Sequence, residues 1–213
     1  EWLGEERILV RGVKELHGTT HDVIPDRIEA GTFLVAGALT RGDILLTEVD
    51  PEHLQTIIEK LRNSGAAVEL EGPRSLRVVG SPEIKAQDIT TSPYPGFPTD
   101  MQAQFMVLMT QAVGTSIITE TIFDRRFSHV NELLRLGAVI EVLGDKAVIR
   151  GQTPLSGAEV IATDLRASAC LILAGLVASG ETVINDVEHL DRGYERIEDK
   201  LRGLGASIER VRD

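Results

Sequence analysis

The sequence predicts an α/β protein of three β-α-β-α-β-β units related by pseudo-threefold symmetry, and three sets of markers that recur in step predict it. Gly42, Gly114 and Gly180 each end an apolar run, and each is followed six residues later by an acid, Glu48, Glu120 and Asp186. Gly65-Ala66, Gly137-Ala138 and Gly205-Ala206 close the units, with Val68-Glu69, Ile140-Glu141 and Ile208-Glu209 behind them. Gly12, Gly80 and Gly151 open the units, with Leu16, Ile84 and Leu155 four residues on and Gly18, Ala86 and Gly157 two further. A period of roughly seventy residues is longer than that of solenoid repeats, so each unit is a sizeable α/β element. The units span about residues 7–79, 80–150 and 151–213 of a single domain, 1–213.

In the first unit, residues 21–24 read as a short strand, and Pro25-Asp26 starts a helix that runs toward Gly42. Residues 43–49 have the aliphatic content of a strand. Leu54, Ile57, Ile58 and Leu61 form the apolar stripe of an amphipathic helix over residues 51–64. Strands over 67–70 and 76–79 then flank a turn at Glu71-Gly72-Pro73-Arg74. The second unit repeats this with strands near 117–121, 139–142 and 147–150 and a helix over 127–136. The third has strands near Val160 and over 182–186, helices over 164–178 and 193–204, and a last strand over 207–211. It ends one strand short. Residues 7–10 precede Gly12 as Val79 precedes Gly80, so residues 7–12 are predicted to pair at the open end of the third unit and close it. The first helix of each unit is apolar almost all round and is predicted to be central; the second is amphipathic and lies outside.

A chain of 213 residues with ordinary apolar and charged fractions can bury a full core. Its net charge of −11 argues against nucleic acid or an anionic membrane as partner. An anionic substrate would have to be met by a local arginine cluster. The single cysteine, Cys170, lies in an apolar run, which excludes an internal disulfide and reads as a small buried hydrophobe in a reducing compartment. No apolar stretch is long enough to span a bilayer and no signal pattern opens the chain, so a cytoplasmic protein is expected. The chain begins Glu1-Trp2-Leu3-Gly4, without Met, which reads as a piece of something longer.

The loop-to-helix junctions are where chemistry is expected, because a helix N-terminus presents unpaired N–H groups to anions. They read Pro25-Asp26-Arg27, Pro98-Thr99-Asp100 and Thr163-Asp164-Leu165-Arg166, with Asp191-Arg192 before the last helix. Asp26 and Asp191 read as helix caps. Asp100 differs, since it follows the proline-dense stretch Ser92-Pro93-Tyr94-Pro95-Gly96-Phe97-Pro98. Arg125, Arg126, Arg166 and Arg192 lie near unit junctions, where a guanidinium could grip a carboxylate or phosphate; for Arg125, surface ion pairing is the better reading. The five histidines form no metal-spaced cluster, and His129 could equally line a site near Arg126 or sit on a helix surface. No phosphate-loop, dinucleotide or metal motif is present, so no cofactor and no metal are expected.

Four stretches carry a resemblance: Pro98-Thr99-Asp100-Met101-Gln102-Ala103-Gln104-Phe105, Ile118-Thr119-Glu120-Thr121-Ile122-Phe123, Thr163-Asp164-Leu165-Arg166-Ala167-Ser168, and Asp191-Arg192-Gly193-Tyr194 with the residues to Leu201. Over essentially its whole length the chain resembles the C-terminal domain of the UDP-N-acetylglucosamine 1-carboxyvinyltransferases, a branch of the enolpyruvyl transferases. The resemblance implies the inside-out α/β prism fold. It implies transfer of the enolpyruvyl group of phosphoenolpyruvate to the 3-hydroxyl of UDP-N-acetylglucosamine, with release of phosphate, at the start of peptidoglycan synthesis. By that resemblance Asp100 would be the base, and Ile122 would touch the nucleotide sugar through its backbone. Arg126 and Arg166 would hold the phosphoenolpyruvate carboxylate, Arg192 its phosphate, and Asp164 would stand beside the reacting centre. The family's N-terminal domain, with its catalytic acid, is absent from this sequence and would be the partner. Alone, the chain is expected to bind weakly and not turn over. Two alternatives stay open: the shikimate-pathway enolpyruvyl transferase of the same fold, and a non-catalytic binding module that self-associates through the face where the missing domain docks.

Overall fold

The computed structural model describes residues 7–211. The first unit contains α1 (Arg27–Leu39), β1 (Asp43–Thr47), a 3-10 turn (Pro51–Leu54), α2 (Gln55–Asn63), β2 (Ala67–Gly72) and β3 (Ser75–Val79). The second contains β4 (Ile89–Thr90), a 3-10 turn (Thr99–Met101), α3 (Gln102–Thr110), β5 (Thr115–Thr119), α4 (Val130–Arg135), β6 (Val139–Leu143) and β7 (Lys146–Arg150). The third contains β8 (Glu159–Ile161), α5 (Leu165–Gly175), β9 (Val183–Asn185), a 3-10 turn (Val187–Arg192) and α6 (Ile197–Gly203).

Each unit forms its own sheet, in the orders β1-β3-β2, β4-β5-β7-β6 and β8-β9. The first sheet is antiparallel, with Leu46 opposite Leu76 and Val68 opposite Val78; these side chains share the inner face and are buried. β4 and β8 run parallel to β5 and β9, as expected for strands joined through a helix. The central helices are α1, α3 and α5, which pack on one another. Every residue of α3 is buried, as are residues 167–174 of α5, so the helices that read as apolar all round are the core. α2 has the single buried stripe Ile57, Ile58 and Leu61 and lies outside.

The repeated glycines have a structural reason at the seams between units. Gly80 N–H donates to the Gly42 carbonyl at 2.9 Å, and Gly151 N–H to the Gly114 carbonyl at 2.9 Å. A Cβ on Gly80 would lie 2.5 Å from the Arg41 Cα, and one on Gly151 1.9 Å from the Ala112 carbonyl oxygen. No other residue permits that approach.

The ends of the chain depart from the repeat. Residues 21–24 do not form the expected strand: Val23 and Ile24 are exposed, and among the described residues no strand pairs with the free edge of β1 in the way β4 pairs with β5. Residues 207–211 are not a strand either, because the third unit has no antiparallel hairpin in which to place them, and a lone strand leaves its backbone polar groups without a ladder. Within residues 7–12, Ile8 makes a single bridge, and a Cβ on Gly12 would meet no atom within 4 Å. Among the described residues no helix is long and apolar enough to cross a membrane.

Candidate active site

Asp100 stands where the proline-dense loop turns into the central helix α3. Phe97, buried at the end of that loop, packs edge-on against Phe105 of α3 with ring centroids 5.0 Å apart, and Ser92 N–H donates to the Phe97 carbonyl at 2.9 Å. The loop is thereby closed on itself and pinned to the helix it starts. Asp100 caps nothing: neither the 3-10 turn nor α3 has a side-chain cap.

Instead its carboxylate joins two arginines from different units. Arg126 Nη2 donates to Asp100 Oδ1 at 2.7 Å, and Arg166 Nη2 donates to Asp100 Oδ2 at 2.9 Å. Arg126 lies on the loop after β5, where its guanidinium covers the Phe123 ring at 4.9 Å. Its Nη1 donates to Thr99 Oγ1 at 2.7 Å. Arg166 is in the first turn of α5 and sits over the Tyr194 ring at 5.9 Å. Burial disfavours the charged form of Asp100, but the hydrogen bonds and charges of Arg166 and then Arg126 outweigh it and hold its carboxyl below the usual range. Burial likewise works against the charge on Arg166, and the bond to Asp100, the charge of Asp100 and Tyr194 together more than offset it. The two guanidiniums that meet Asp100 are forked donors of the kind that suits a carboxylate or phosphate. For Asp100 to take up a proton, one of the arginines must be drawn away to another anion.

Asp164 caps α5, accepting from the N–H groups of Arg166 at 2.8 Å and Ala167 at 2.9 Å, and its second oxygen receives the Ser128 hydroxyl at 3.4 Å. It therefore sets the start of the turn that carries Arg166. Ile122 lies on the loop beside Arg126, with its N–H bound to Glu120 at 2.9 Å. Arg192 is exposed at the end of its 3-10 turn; among the described residues its side chain makes no ion pair or hydrogen bond, and it stands outside the Asp100 cluster. Of the residues singled out in the sequence, the fold thus joins Asp100, Arg126 and Arg166 directly and brings Asp164 in through the backbone of Arg166.

Other side chains complete the cluster. Tyr194 is 1% exposed and shares a hydrogen bond with Thr32 of α1 at 2.9 Å, while Gln104 Nε2 of α3 donates to Thr32 Oγ1 at 3.2 Å and Tyr194 Oη at 3.3 Å. Arg166 Nη1 reaches the same phenol oxygen at 3.4 Å. All three central helices therefore meet Tyr194, which locks the arginine's height above the helix ends. Thr99 and Glu120 belong to the same network. Their sequence signal was membership in the quoted stretches, with Glu120 also one of the repeat's acids. His129 is not on a helix surface: it is buried, and burial holds its pKa at about 4, so it is neutral. Arg125 is exposed, with a left-handed backbone. Cys170 is fully buried, and burial pushes its thiol up, which suits a packing residue. A recess of about 420 Å³ lies elsewhere, lined by Ile161, Ala162, Thr163, Asp186, Glu188 and His189, and none of the clustered charges faces it. Among the described residues no group of three or more His, Cys, Asp or Glu is placed to hold a metal ion.

Three apolar central helices ringed by sheets define an α/β prism, and a carboxylate and two guanidiniums converge at the N-terminal ends of those helices. The chain belongs to the EPSP synthase (3-phosphoshikimate 1-carboxyvinyltransferase) family, whose pattern matches residues 3–201. It is 54% identical over 211 residues to a UDP-N-acetylglucosamine 1-carboxyvinyltransferase from Koribacter versatilis, an alignment covering 99% of this chain and 48% of that protein. It is 57% identical over 208 residues to the protein of the same name from Desulfosudis oleivorans, covering 98% of this chain and 50% of that one. The chain spans about half the length of the curated relatives it matches. Among solved structures, the enolpyruvyl transferase NikO from Streptomyces tendae superposes with a TM-score of 0.80 at 28% identity, covering 88% of this chain and 44% of that one. An EPSP synthase from Acinetobacter baumannii gives 0.68 at 18% identity, covering 87% of this chain and 44% of that one, and shows the shared fold.

Proposed function

We propose that this chain is one half of an enzyme that transfers the enolpyruvyl group of phosphoenolpyruvate to the 3-hydroxyl of UDP-N-acetylglucosamine, releasing phosphate, in the first committed step of peptidoglycan synthesis in the cytoplasm. The observation that carries the reading is Asp100 held between Arg126 and Arg166 at the helix ends. The identity to relatives named for the sugar-nucleotide reaction favours that branch over the shikimate one.

In this reading the carboxylate of phosphoenolpyruvate takes over guanidinium hydrogen bonds that Asp100 now accepts. Asp100, freed from an arginine, receives the proton of the 3-hydroxyl as its oxygen bonds to C2. A carboxylate is a weak base, so the gain comes from placement against the hydroxyl. C3 takes a proton from an acid in the missing half, giving a tetrahedral adduct. Loss of phosphate and of a C3 proton then yields the enol ether. Arg192, exposed and unpaired, is the cation for the departing phosphate; the backbone of Ile122 faces the sugar, and Asp164 keeps Arg166 in register. The partner is the missing N-terminal half. Self-association of the isolated chain through the face left open to that half belongs to the same reading.

Phosphate release from phosphoenolpyruvate with UDP-N-acetylglucosamine, measured on the chain alone and mixed with a matching N-terminal half, tests the reading. Release in the mixture only, abolished by Asp100→Asn, supports it; no release in the mixture refutes it. We also propose that residues 7–12 close the third unit of the single domain, a reading supported by the likeness of residues 7–10 to the residues before Gly80. Slow amide hydrogen exchange at residues 8–10 is the expected result, and free exchange there would exclude it.

A further inference from the structure

Glu120 is a buried carboxylate, 4% exposed, and none of its hydrogen-bond partners is a cation. Burying such a group is costly unless donors surround it. Four do. Oε1 accepts from Thr91 Oγ1 at 2.8 Å, Ile122 N at 2.9 Å and Phe123 N at 3.2 Å, and Oε2 accepts from Thr99 Oγ1 at 2.8 Å.

A carboxylate that only shaped its own turn would bind the two amides and stop there, as Asp26 does at the start of α1. Glu120 also reaches across to two hydroxyls of the segment that carries Asp100. The other acids at the same point of the repeat do neither. Glu48 and Asp186 are exposed with left-handed backbones, and Glu48 meets only the exposed Arg74, at 3.0 Å.

The direction of the Thr99 bond matters. A threonine hydroxyl has one proton, and Glu120 takes it, so the oxygen's lone pairs are left for Arg126 Nη1. The same carboxylate fixes the Phe123 amide, and the Phe123 ring backs the Arg126 guanidinium. Arg126 is thus held by a hydroxyl on one side and a ring on the other, both governed by Glu120.

We infer that Glu120 is a positioning residue that, through Thr99 and the Ile122-Phe123 amides, aims Arg126 at Asp100 and at the anion that replaces it. The inference rests on the reading of Asp100 and Arg126 as substrate-handling groups. Replacing Glu120 by Gln puts an amide NH2 where an acceptor is needed. That amide and Arg126 would both donate to Thr99, whose own proton would lose its acceptor.

The first test needs only this chain. Carbon-detected NMR titration of the Asp100 carboxyl is run on the wild type, Glu120→Gln, Thr99→Val and Thr99→Ser, with thermal melts alongside. Loosening Arg126 removes a charge that favours the ionised carboxyl, so Glu120→Gln and Thr99→Val are expected to raise the Asp100 midpoint by about one unit. Thr99→Ser, which keeps the hydroxyl, is expected to titrate like the wild type. An unmoved midpoint in folded Glu120→Gln overturns the inference, and where that variant fails to fold, an unmoved midpoint in Thr99→Val does so. With the N-terminal half added, both variants are expected to lower kcat/KM for phosphoenolpyruvate about tenfold or more, with Thr99→Ser restoring it. Absence of turnover in the complemented wild type would refute the functional reading alone, and the carboxyl titration would still decide the role of Glu120.

Discussion

Asp26 and Asp100 stand at matching points of two repeats, before the central helices α1 and α3, yet they do different work. Asp26 accepts from the N–H groups of Ile28 at 2.7 Å and Glu29 at 3.2 Å and so completes the first turn of its helix. Asp100 leaves its helix uncapped and accepts from two guanidiniums contributed by other segments. Asp164, in the third repeat, does part of each: it caps α5 and receives the Ser128 hydroxyl. A repeated fold supplies three equivalent helix ends, and the proposed chemistry falls at the end where capping has been given up. The same unit holds the one buried member of the three repeat acids, Glu120.

The contrast can be broken most sharply at Asp100. In the complemented enzyme Asp100→Asn is expected to lower kcat by a factor of about 10² to 10⁴, the usual worth of a placed acid or base. Phosphate release measures it, and near-normal turnover would move Asp100 back among the structural residues. Asp164→Ala should show both phenotypes, a helix destabilised by about 1 kcal/mol and a fall in kcat/KM. Denaturant melts and steady-state kinetics on one preparation separate the two, and loss of stability alone would class Asp164 with Asp26.

Acid titration sharpens the comparison further. Asp100 has a lowered pKa in the folded state, so its stabilising contribution is present above the ordinary carboxylate pKa and is lost as pH falls through the lowered one. His129 has the opposite chemistry but the same sign of pH dependence. Its folded pKa is about 4 against an ordinary 6.5, so the unfolded chain takes up the proton first and stability falls as pH drops from 6.5 toward 4. Melting temperature followed across that window should decline in the wild type and flatten in His129→Gln, while Asp100→Asn should alter only the more acidic limb. The smallest effect is expected at Asp26→Ala: about 1 kcal/mol of stability in denaturant melts, with kinetics of the complemented enzyme unchanged.

Most of the fold was legible because its signals are local. The stripe Leu54, Ile57, Ile58 and Leu61 required an outer helix whatever lay beside it, and the all-apolar segments required central ones. The expected strands at residues 21–24 and 207–211 failed because a strand exists only with a neighbour, and local composition does not supply one. At the site, Asp100 stood out by its rigid approach, Arg166 and Asp164 by their place in the quoted stretches, and Arg126 only by lying near a unit junction. Tyr194 lay in a quoted stretch but was given no role there, because its importance lies in touching α1, α3 and Arg166 at once. His129 was ambiguous, since a helix-start histidine can face either way until its neighbours are packed.

Spacing and periodicity in the chain alone determined the threefold repeat, the central and outer helices, the seam glycines and the short set of charges near the junctions. These follow from steric and hydrophobic rules that act within a turn or a strand. Only the tertiary structure decided that Asp100 pairs with Arg126 and Arg166, that Arg192 stands outside that cluster, and that Glu120 is sealed beneath the loop bearing Arg126. An ion pair between residues of different repeats depends on where whole units come to rest, and burial then sets how strongly each charge is felt.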